Sequence, residues 1–210
     1  MNRPYIFCHM MTSLDGKIMG DYMGTPEGNA AGNVFYEKPT LDENSDKVPE
    51  GDFIIKSDIP MYYVSVDPSG KLGWKSNILH YVDTTAHVIE ILTEKASNSY
   101  KAFLRKLEIP YIIAGKDELD YSLAMEKLYK LFDIHTLMLS GGGVLNWSFI
   151  QAGMCDEISV VIAASADGST DTPALFSAQK GLADNKAKSF FLEHVEVRDG
   201  GSVWLRYKTK

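Results

Sequence analysis

The chain has very little cysteine. Only Cys8 and Cys155 occur among 210 residues, far apart and each within an apolar stretch. Neither stands at the close spacing that is typical of cysteine metal sites or redox motifs. Isolated cysteines in apolar surroundings favour buried, reduced thiols over a disulfide. The two cysteines therefore indicate a cytoplasmic protein.

Long apolar runs and an excess of positive charge are also lacking. The longest apolar run, residues 158–164, is far too short to span a bilayer. The first residues reach polar turn formers too early for a signal peptide. The formal net charge of −7 disfavours nucleic-acid binding, which needs a basic surface. We therefore expect neither a membrane nor a nucleic acid as partner.

The common hydrolase motifs are absent as well. The sequence contains no G-x-S-x-G elbow and no H-E-x-x-H zinc motif. Its five histidines are scattered without a metal-binding pattern, and His9 within an apolar stretch is predicted to be a core or lining residue. A serine-hydrolase or zinc-hydrolase reading therefore has no support, and no metal site is predicted.

The chain does contain alternating strand-like and helix-like segments. We predict strands at residues 5–11, 61–66, 87–93, 110–115, 135–140 and 156–165, and helices at 97–109, 120–134 and 143–153. The strands are continuously apolar, which is typical of a mainly parallel sheet covered by helices on both faces. A hairpin around Asp199-Gly200-Gly201 would add an antiparallel edge. A helix start is possible after Glu27, and residues 38–52 are predicted to be an exposed acidic loop.

The glycine turn at residues 141–143 follows an apolar strand and precedes a helix. Backbone amides at a helix N-terminus, together with the helix dipole, can hold a phosphate or pyrophosphate. Glycines let the backbone approach such a ligand closely. The alternative is a tight turn required by packing alone. The turn favours phosphate binding, although it is neither a G-x-G-x-x-G nor a Walker pattern.

Other strand ends carry small or turn-forming residues. Asp15 follows the first strand, where a carboxylate could orient a ligand or relay a proton. Taken alone, it is better explained as an Asp-Gly turn whose carboxylate binds its own backbone. Ser65, Asp67 and Ser69 surround a second turn, and Gly115 ends a third strand. Each is explained by a plain turn, but in a parallel sheet such turns would line one edge.

Four segments taken together resemble a known family. They are PYIFCHMMTSLDGKI (residues 4–18), YIIAG (111–115), the stretch from residue 137 to 164, and PALF (173–176). They resemble the reductase domain of the bifunctional riboflavin-biosynthesis deaminase/reductase, the RibD C-terminal domain, which has a dihydrofolate-reductase-like fold. The resemblance runs from about residue 4 to residue 207. It implies an α/β fold of three layers and a single domain over residues 1–210.

The resemblance also implies a function. Members are cytoplasmic oxidoreductases of riboflavin biosynthesis, usually homodimers, that use NADPH to reduce a small-molecule substrate, a ribosylaminopyrimidine phosphate. Carried over by position, Thr12 and Asp15 would border the nicotinamide and the substrate, with an electrostatic or proton-relay role for Asp15. Residues at three further strand ends would hold the adenosine end and the pyrophosphate of the cofactor; they are Ser65, Asp67, Ser69, Gly115, Ser140, Gly141, Gly142, Gly143, Val144 and Leu145.

Two departures from the family stand out. The riboflavin enzymes usually have glutamate immediately before the glycine turn, where this chain has Ser140. The family also has a strand between the first turn and Ser65, and residues 33–52 contain no convincing strand. A small heterocyclic substrate other than the pyrimidine phosphate is compatible with Ser140. A non-catalytic nucleotide-binding relative and dihydrofolate reductase proper are the alternative functions.

Overall fold

The structure is a computed structural model that describes residues 2–18, 39, 41, 48–81, 83–166, 168–178 and 186–210. The chain divides into two compact units. The terminal unit comprises Pro4–Asn29 and Ile134–Lys210, and the central unit comprises Met1–Arg3 and Ala30–Asp133. The predicted helix start after Glu27 lies outside the described residues, as does most of the predicted acidic loop.

The described chain contains nine strands and three helices. The strands are β1 (Tyr5–Thr12), β2 (Tyr62–Val66), β3 (Ile78–Tyr81), β4 (Thr84–Leu92), β5 (Tyr111–Ile113), β6 (Thr136–Leu139), β7 (Glu157–Ile162), β8 (Phe190–Val197) and β9 (Val203–Thr209). The helices are α1 (Asn98–Lys106), α2 (Tyr121–Phe132) and α3 (Gly143–Gln151).

The terminal unit is built on a five-stranded sheet in the order β6-β1-β7-β9-β8. β1 lies between β6 and β7 and is parallel to both. β9 pairs antiparallel with β7 and with β8, so the last two strands form a hairpin around Asp199–Gly201. Cys8 and Cys155 are both free and buried in this unit. The predicted reduced thiols and the antiparallel C-terminal hairpin are confirmed.

The central unit has a four-stranded sheet in which β4 is parallel to β2 and β5 and antiparallel to β3. From Ala86 to Leu92, β4 is buried at every position, because it has neighbours on both sides and side chains packed on both faces. Val88 and Leu92 pack with Tyr100 and Leu104 of α1 and with Tyr111 of β5. This cluster forms a hydrophobic core of the central unit.

Two of the helices begin with side-chain caps. Ser97 accepts a hydrogen bond from the Tyr100 amide at 3.1 Å before α1, and Asp120 accepts one from the Leu123 amide at 2.9 Å before α2. α3 begins differently, because its N-cap position is occupied by Gly142, which has no side chain to form a capping hydrogen bond.

The mixed α/β class predicted from the sequence is confirmed, and each predicted strand and helix within the described residues has a counterpart. One element was missed. β3 is a four-residue strand with two exposed positions, and its sequence, ILHY, carries no apolar run that would predict it.

Candidate functional site

The first candidate feature is the turn that follows β1. Thr12 is buried at the end of the strand, and the exposed Asp15 carboxylate accepts hydrogen bonds from the Ser13 hydroxyl at 2.6 Å and the Gly168 amide at 3.1 Å. Gly16 completes the turn with φ of +76°, a conformation that favours glycine. The Asp15 carboxylate therefore stabilises its own turn and also binds the segment that begins at Gly168.

The second feature is the glycine turn between β6 and α3, where each glycine has a different environment. A side chain at Gly143 would place its Cβ 2.2 Å from the Ala174 carbonyl oxygen, so packing requires glycine there. At Gly141 a Cβ would meet the flexible Leu145 side chain. At Gly142 a Cβ would meet nothing within 4 Å, and its φ of −64° suits any residue. Packing therefore explains Gly143 and leaves Gly142 unexplained.

The open space at Gly142 lies at the N-terminus of α3. The first amides of a helix have no partner within the helix, and their dipoles point toward the N-terminus. Since no side chain caps α3, an anion could lie against these amides, close to Gly142. Ser140 and Val144 are exposed beside the turn, and Leu145 is half-buried.

A single segment ties the Asp15 turn to the glycine turn. The Leu175 amide donates to the Gly16 carbonyl at 2.9 Å, and the Leu175 carbonyl accepts from the Asn146 side chain at 3.3 Å. The Ser177 amide donates to the Gly143 carbonyl at 3.0 Å. Leu175 lies within the PALF stretch, to which sequence reasoning gave no role. The structure thus brings Thr12, Asp15 and residues 140–145 together within the terminal unit.

The remaining predicted contacts lie in the central unit. Asp67 is buried, and its Oδ2 accepts hydrogen bonds from the Leu72 amide at 2.9 Å and the Tyr100 hydroxyl at 3.2 Å, as well as from the Lys71 amide. Burial raises the pKa of Tyr100, with the neighbouring carboxylates Glu90 and Asp67 as further causes. Asp67 therefore holds its own turn against α1.

Ser65, Ser69 and Gly115 occupy the ends of β2 and β5 as predicted. Ser65 lies opposite Glu90 in the parallel pair β2–β4, and Ser69 is half-buried within the Asp67 turn. Gly115 has φ of +110°, and a Cβ there would lie 2.0 Å from the Glu118 carbonyl oxygen. The loop after β5 therefore requires glycine at this position for packing reasons.

Sequence reasoning missed Glu90, a fully buried carboxyl in β4. The Trp74 indole N–H donates to Glu90 Oε1. Burial raises the pKa of Glu90 well above its usual value, and the nearby Asp67 carboxylate adds to this effect. The sequence signal for Glu90 is a single glutamate within the largely apolar segment HVIEIL.

The terminal unit also contains a cavity of about 410 Å³ on its sheet. It is lined by Tyr5, Phe7, His9, Thr136, Glu157, Ser159, Trp204 and Arg206. Glu157 forms two hydrogen bonds with the Arg206 guanidinium, at 2.6 and 2.7 Å, which lower the pKa of the carboxyl. His9 is exposed and bonds to the Ser159 hydroxyl at 2.9 Å, so it is a lining residue as predicted.

The described residues contain neither a metal-binding cluster nor a membrane-spanning helix. The described residues hold no group of three or more histidine, cysteine, aspartate or glutamate side chains that could bind a metal ion. No helix in the described part of the chain has the length and apolarity needed to cross a membrane.

Comparison with known proteins identifies the family. Residues 59–203, more than half of the chain, match the RibD C-terminal domain. The chain belongs to the RibD C-terminal domain family. It is 28% identical over 188 residues to the 2,5-diamino-6-ribosylamino-4(3H)-pyrimidinone 5′-phosphate reductase of Methanothermobacter thermautotrophicus, covering 82% of this chain and 83% of the relative.

Solved structures agree on the fold. A pyrimidine reductase-like protein from Corynebacterium diphtheriae superposes with a TM-score of 0.63 at 14% identity, over 100% of this chain and 93% of the other. The RibD protein of Acinetobacter baumannii gives a TM-score of 0.64 at 18% identity, with 100% of this chain matched to 59% of that protein. At these identities, the similarity to solved structures establishes the fold. The family, shown by the sequence matches, is that of the pyrimidine reductases of riboflavin biosynthesis.

Proposed function

We propose that this protein is an NADPH-dependent reductase that transfers hydride to a small heterocyclic or ribosylaminopyrimidine-type substrate. The observation that carries the proposal is the pairing of two turns through Leu175, one with the Asp15 carboxylate and one with the uncapped N-terminus of α3. The family membership and the named activity of the Methanothermobacter relative support it. The combination fits an anionic cofactor held beside a reacting centre.

The residues present fit the pyrophosphate of a dinucleotide. A Cβ at Gly142 would extend into open space at the N-terminus of α3, where the first backbone amides can bind an anion. Gly141, Gly142, Gly143, Val144 and Leu145 would hold the pyrophosphate, with Ser140 at its edge. The assignment of Ser65, Asp67, Ser69 and Gly115 to the adenosine end stays a prediction. NADPH, when bound, supplies the hydride.

The chain's own contribution is orientation and charge. Asp15 is exposed at the end of β1, and its two oxygens are held by the Ser13 hydroxyl and the Gly168 amide. A carboxylate fixed in this way can stabilise positive charge on a substrate nitrogen or pass a proton through water. We propose this role for Asp15, with Thr12 beside it at the strand end. Ser140 stands where the family usually has glutamate. Its side chain is shorter and uncharged, and so is the contact that it would make with the substrate before the glycine turn.

The experiment is a titration of the purified protein with NADPH, followed by a cofactor-oxidation screen across flavin precursors, pterins and small carbonyl compounds. We expect saturable binding and oxidation with at least one pyrimidine or related heterocycle. Binding without oxidation of any candidate would favour the non-catalytic alternative. Turnover of dihydrofolate that methotrexate inhibits would favour dihydrofolate reductase proper. An absence of saturable binding would overturn the proposal.

A matched pair of variants localises the binding. Gly142→Leu places a bulky side chain in the space assigned to the pyrophosphate, and we expect it to weaken NADPH binding at least about tenfold. Ala152→Leu adds the same bulk at the exposed opposite end of α3 and should bind NADPH as the wild type does. Equal NADPH affinity of the two variants would show that the glycine turn is not part of the NADPH site.

A further inference from the structure

The buried glutamate of the central unit has an unusual set of neighbours. Glu90 has no solvent-exposed surface and lies on β4 between Val88 and Leu92, two residues of the hydrophobic core. Its Oε1 accepts the Trp74 indole N–H, and Ser65 lies opposite it in β2. Among the described residues, its buried Oε2 has no hydrogen-bond partner. An ionised carboxylate has room for about four hydrogen bonds, so the environment of Glu90 is poor in donors.

The charged groups around Glu90 do not favour its ionised form. The Asp67 carboxylate, in the turn after β2, repels a second negative charge at Glu90. Tyr63 of β2 and Tyr100 of α1 lie near enough that a charge on Glu90 raises the pKa of each hydroxyl, in addition to the larger effect of burial. Tyr111 of β5 lies opposite Glu90 in the register. In the described residues, no ion pair of Glu90 is present.

The basic groups of the neighbouring elements are directed elsewhere. Arg105 of α1 donates to the Tyr111 hydroxyl at 2.9 Å and stacks on the Phe53 ring at 4.3 Å. His87 of β4 is itself buried, which lowers its pKa. Lys75 is exposed next to Trp74. A buried carboxyl without a cationic partner is more stable in its neutral form, because desolvation penalises the charge.

The Glu90 carboxyl connects the segment after β2 to the sheet. Ser65 lies opposite Glu90 in the pair β2–β4, and the Trp74 indole N–H donates to the Glu90 carboxyl. Trp74 also packs edge-on against Tyr63, with ring centroids 6.2 Å apart. The Glu90 side chain therefore joins Trp74 to the central strand of the sheet.

We propose that the folded protein keeps Glu90 as a neutral carboxylic acid, and that its ionisation destabilises the central unit. Ionisation places a second negative charge beside Asp67, at a position with no exposed surface and no cationic partner among the described residues. The device concerns folding of the central unit, and its tests are independent of reductase activity.

The sign of the pH dependence follows from linkage. A glutamate in an unfolded chain ionises near pH 4.3. With a raised pKa in the folded state, the folded protein binds one proton more than the unfolded chain at pH values between the two pKa values. The stabilisation from this group is complete below about pH 4.3 and declines as the pH rises toward the folded-state pKa. Each pH unit in that window changes the unfolding equilibrium constant about tenfold.

The decisive measurement compares the wild type with Glu90→Gln by urea unfolding from pH 5 to pH 8. Glutamine is the uncharged isostere and keeps an acceptor for Trp74, while all other titrating groups are common to both proteins. We expect the ratio of the unfolding constants, wild type over variant, to rise with pH by up to about tenfold per pH unit, until the pH reaches the folded-state pKa of Glu90. A ratio that stays constant over this range would mean that Glu90 is ionised in the folded protein and would overturn the proposal.

A second variant and a second method keep the test independent of how well Glu90→Gln folds. Trp74→Phe removes a donor that lowers the pKa of Glu90, so the decline of stability with rising pH should extend to higher pH in this variant than in the wild type.

The infrared spectrum of wild-type protein with ¹³C-labelled glutamate should show the carbonyl band of a protonated carboxylic acid at neutral pH. Absence of that band would contradict the proposal directly.

Discussion

At the scale of single residues, the three glycines of residues 141–143 look alike in the sequence and differ in the structure. Gly143 is required because the Ala174 carbonyl oxygen occupies the space of a side chain. Gly142 faces open space at an uncapped helix end. The sequence could predict a close approach to this turn. The sequence could not show whether the protein's own backbone or a ligand makes this close approach, because the answer depends on Ala174, about thirty positions later in the chain.

This difference gives a prediction for stability. We expect Gly143→Ala to lower the free energy of unfolding by about 1–3 kcal/mol, as overpacking against backbone does. Gly142→Ala should change it by less than about 1 kcal/mol, since the small loss at the N-cap is offset by lower entropy of the unfolded chain. Urea denaturation of both variants measures this. Equal losses would mean that the two glycines share one environment.

Asp15 gives a residue-scale prediction for catalysis. Asp15→Asn keeps the size of the side chain and removes its charge, so we expect kcat to fall by at least about 10²-fold while the NADPH dissociation constant changes little. Steady-state kinetics and a binding titration separate the two effects. Ser13→Ala, which removes only one hydrogen bond to Asp15, should have a smaller effect. An unchanged kcat in Asp15→Asn would mean that Asp15 stabilises its turn and has no role in catalysis.

At the scale of elements, local sequence predicted where strands and helices lie but not how the strands pair. Apolar runs and helical spacing mark each element, and capping residues such as Ser97 and Asp120 mark helix starts. Nothing local indicates that β1 pairs with β6 and β7 while β2 pairs with β4. Pairing also determines which groups meet, so the contact of Ser65 with Glu90 could not be predicted.

The pair β7–β9 carries a prediction about pH. The Arg206 guanidinium bonds to Glu157 and lowers the pKa of that carboxyl. The resulting stabilisation is present above about pH 4.3, the usual value for glutamate, and is lost as the pH falls through the lowered folded-state pKa. Glu157→Gln should therefore be less stable than the wild type at pH 7, and the gap should narrow from about pH 4.3 downward.

Urea denaturation of the wild type and Glu157→Gln at a series of pH values tests this expectation. Glu193→Gln is the control, since Glu193 is exposed on β8 and lies 4.0 Å from Lys208. Exposed pairs of this kind contribute little. A gap between wild type and Glu157→Gln that stays constant into the acid range would show that the hydrogen-bonded charge is not its source.

At the scale of the whole molecule, the two thiols report on the integrity of the terminal unit. Cys8 has no exposed surface and Cys155 has 2%. Burial raises the pKa of Cys8 to about 12, so the reactive thiolate is scarce at neutral pH. We expect a thiol reagent to label neither cysteine in the folded protein and both in urea. Cys155→Ala leaves one thiol and assigns the signal, and prompt labelling without urea would contradict the burial of these residues.

The position of β1 has a consequence for the order of events during synthesis. β1 lies between β6 and β7, with Tyr5 paired to Thr136 and Phe7 paired to Glu157, so both of its partner strands come more than a hundred residues later in the chain. Contacts of such high sequence separation form slowly, because a long loop must close first. The apolar segment YIFCHMM therefore has neither partner strand until β6 has been translated, and it gains the second only when β7 follows. During that interval it is an aggregation-prone site in the nascent chain, and a chaperone that binds short apolar segments would protect it.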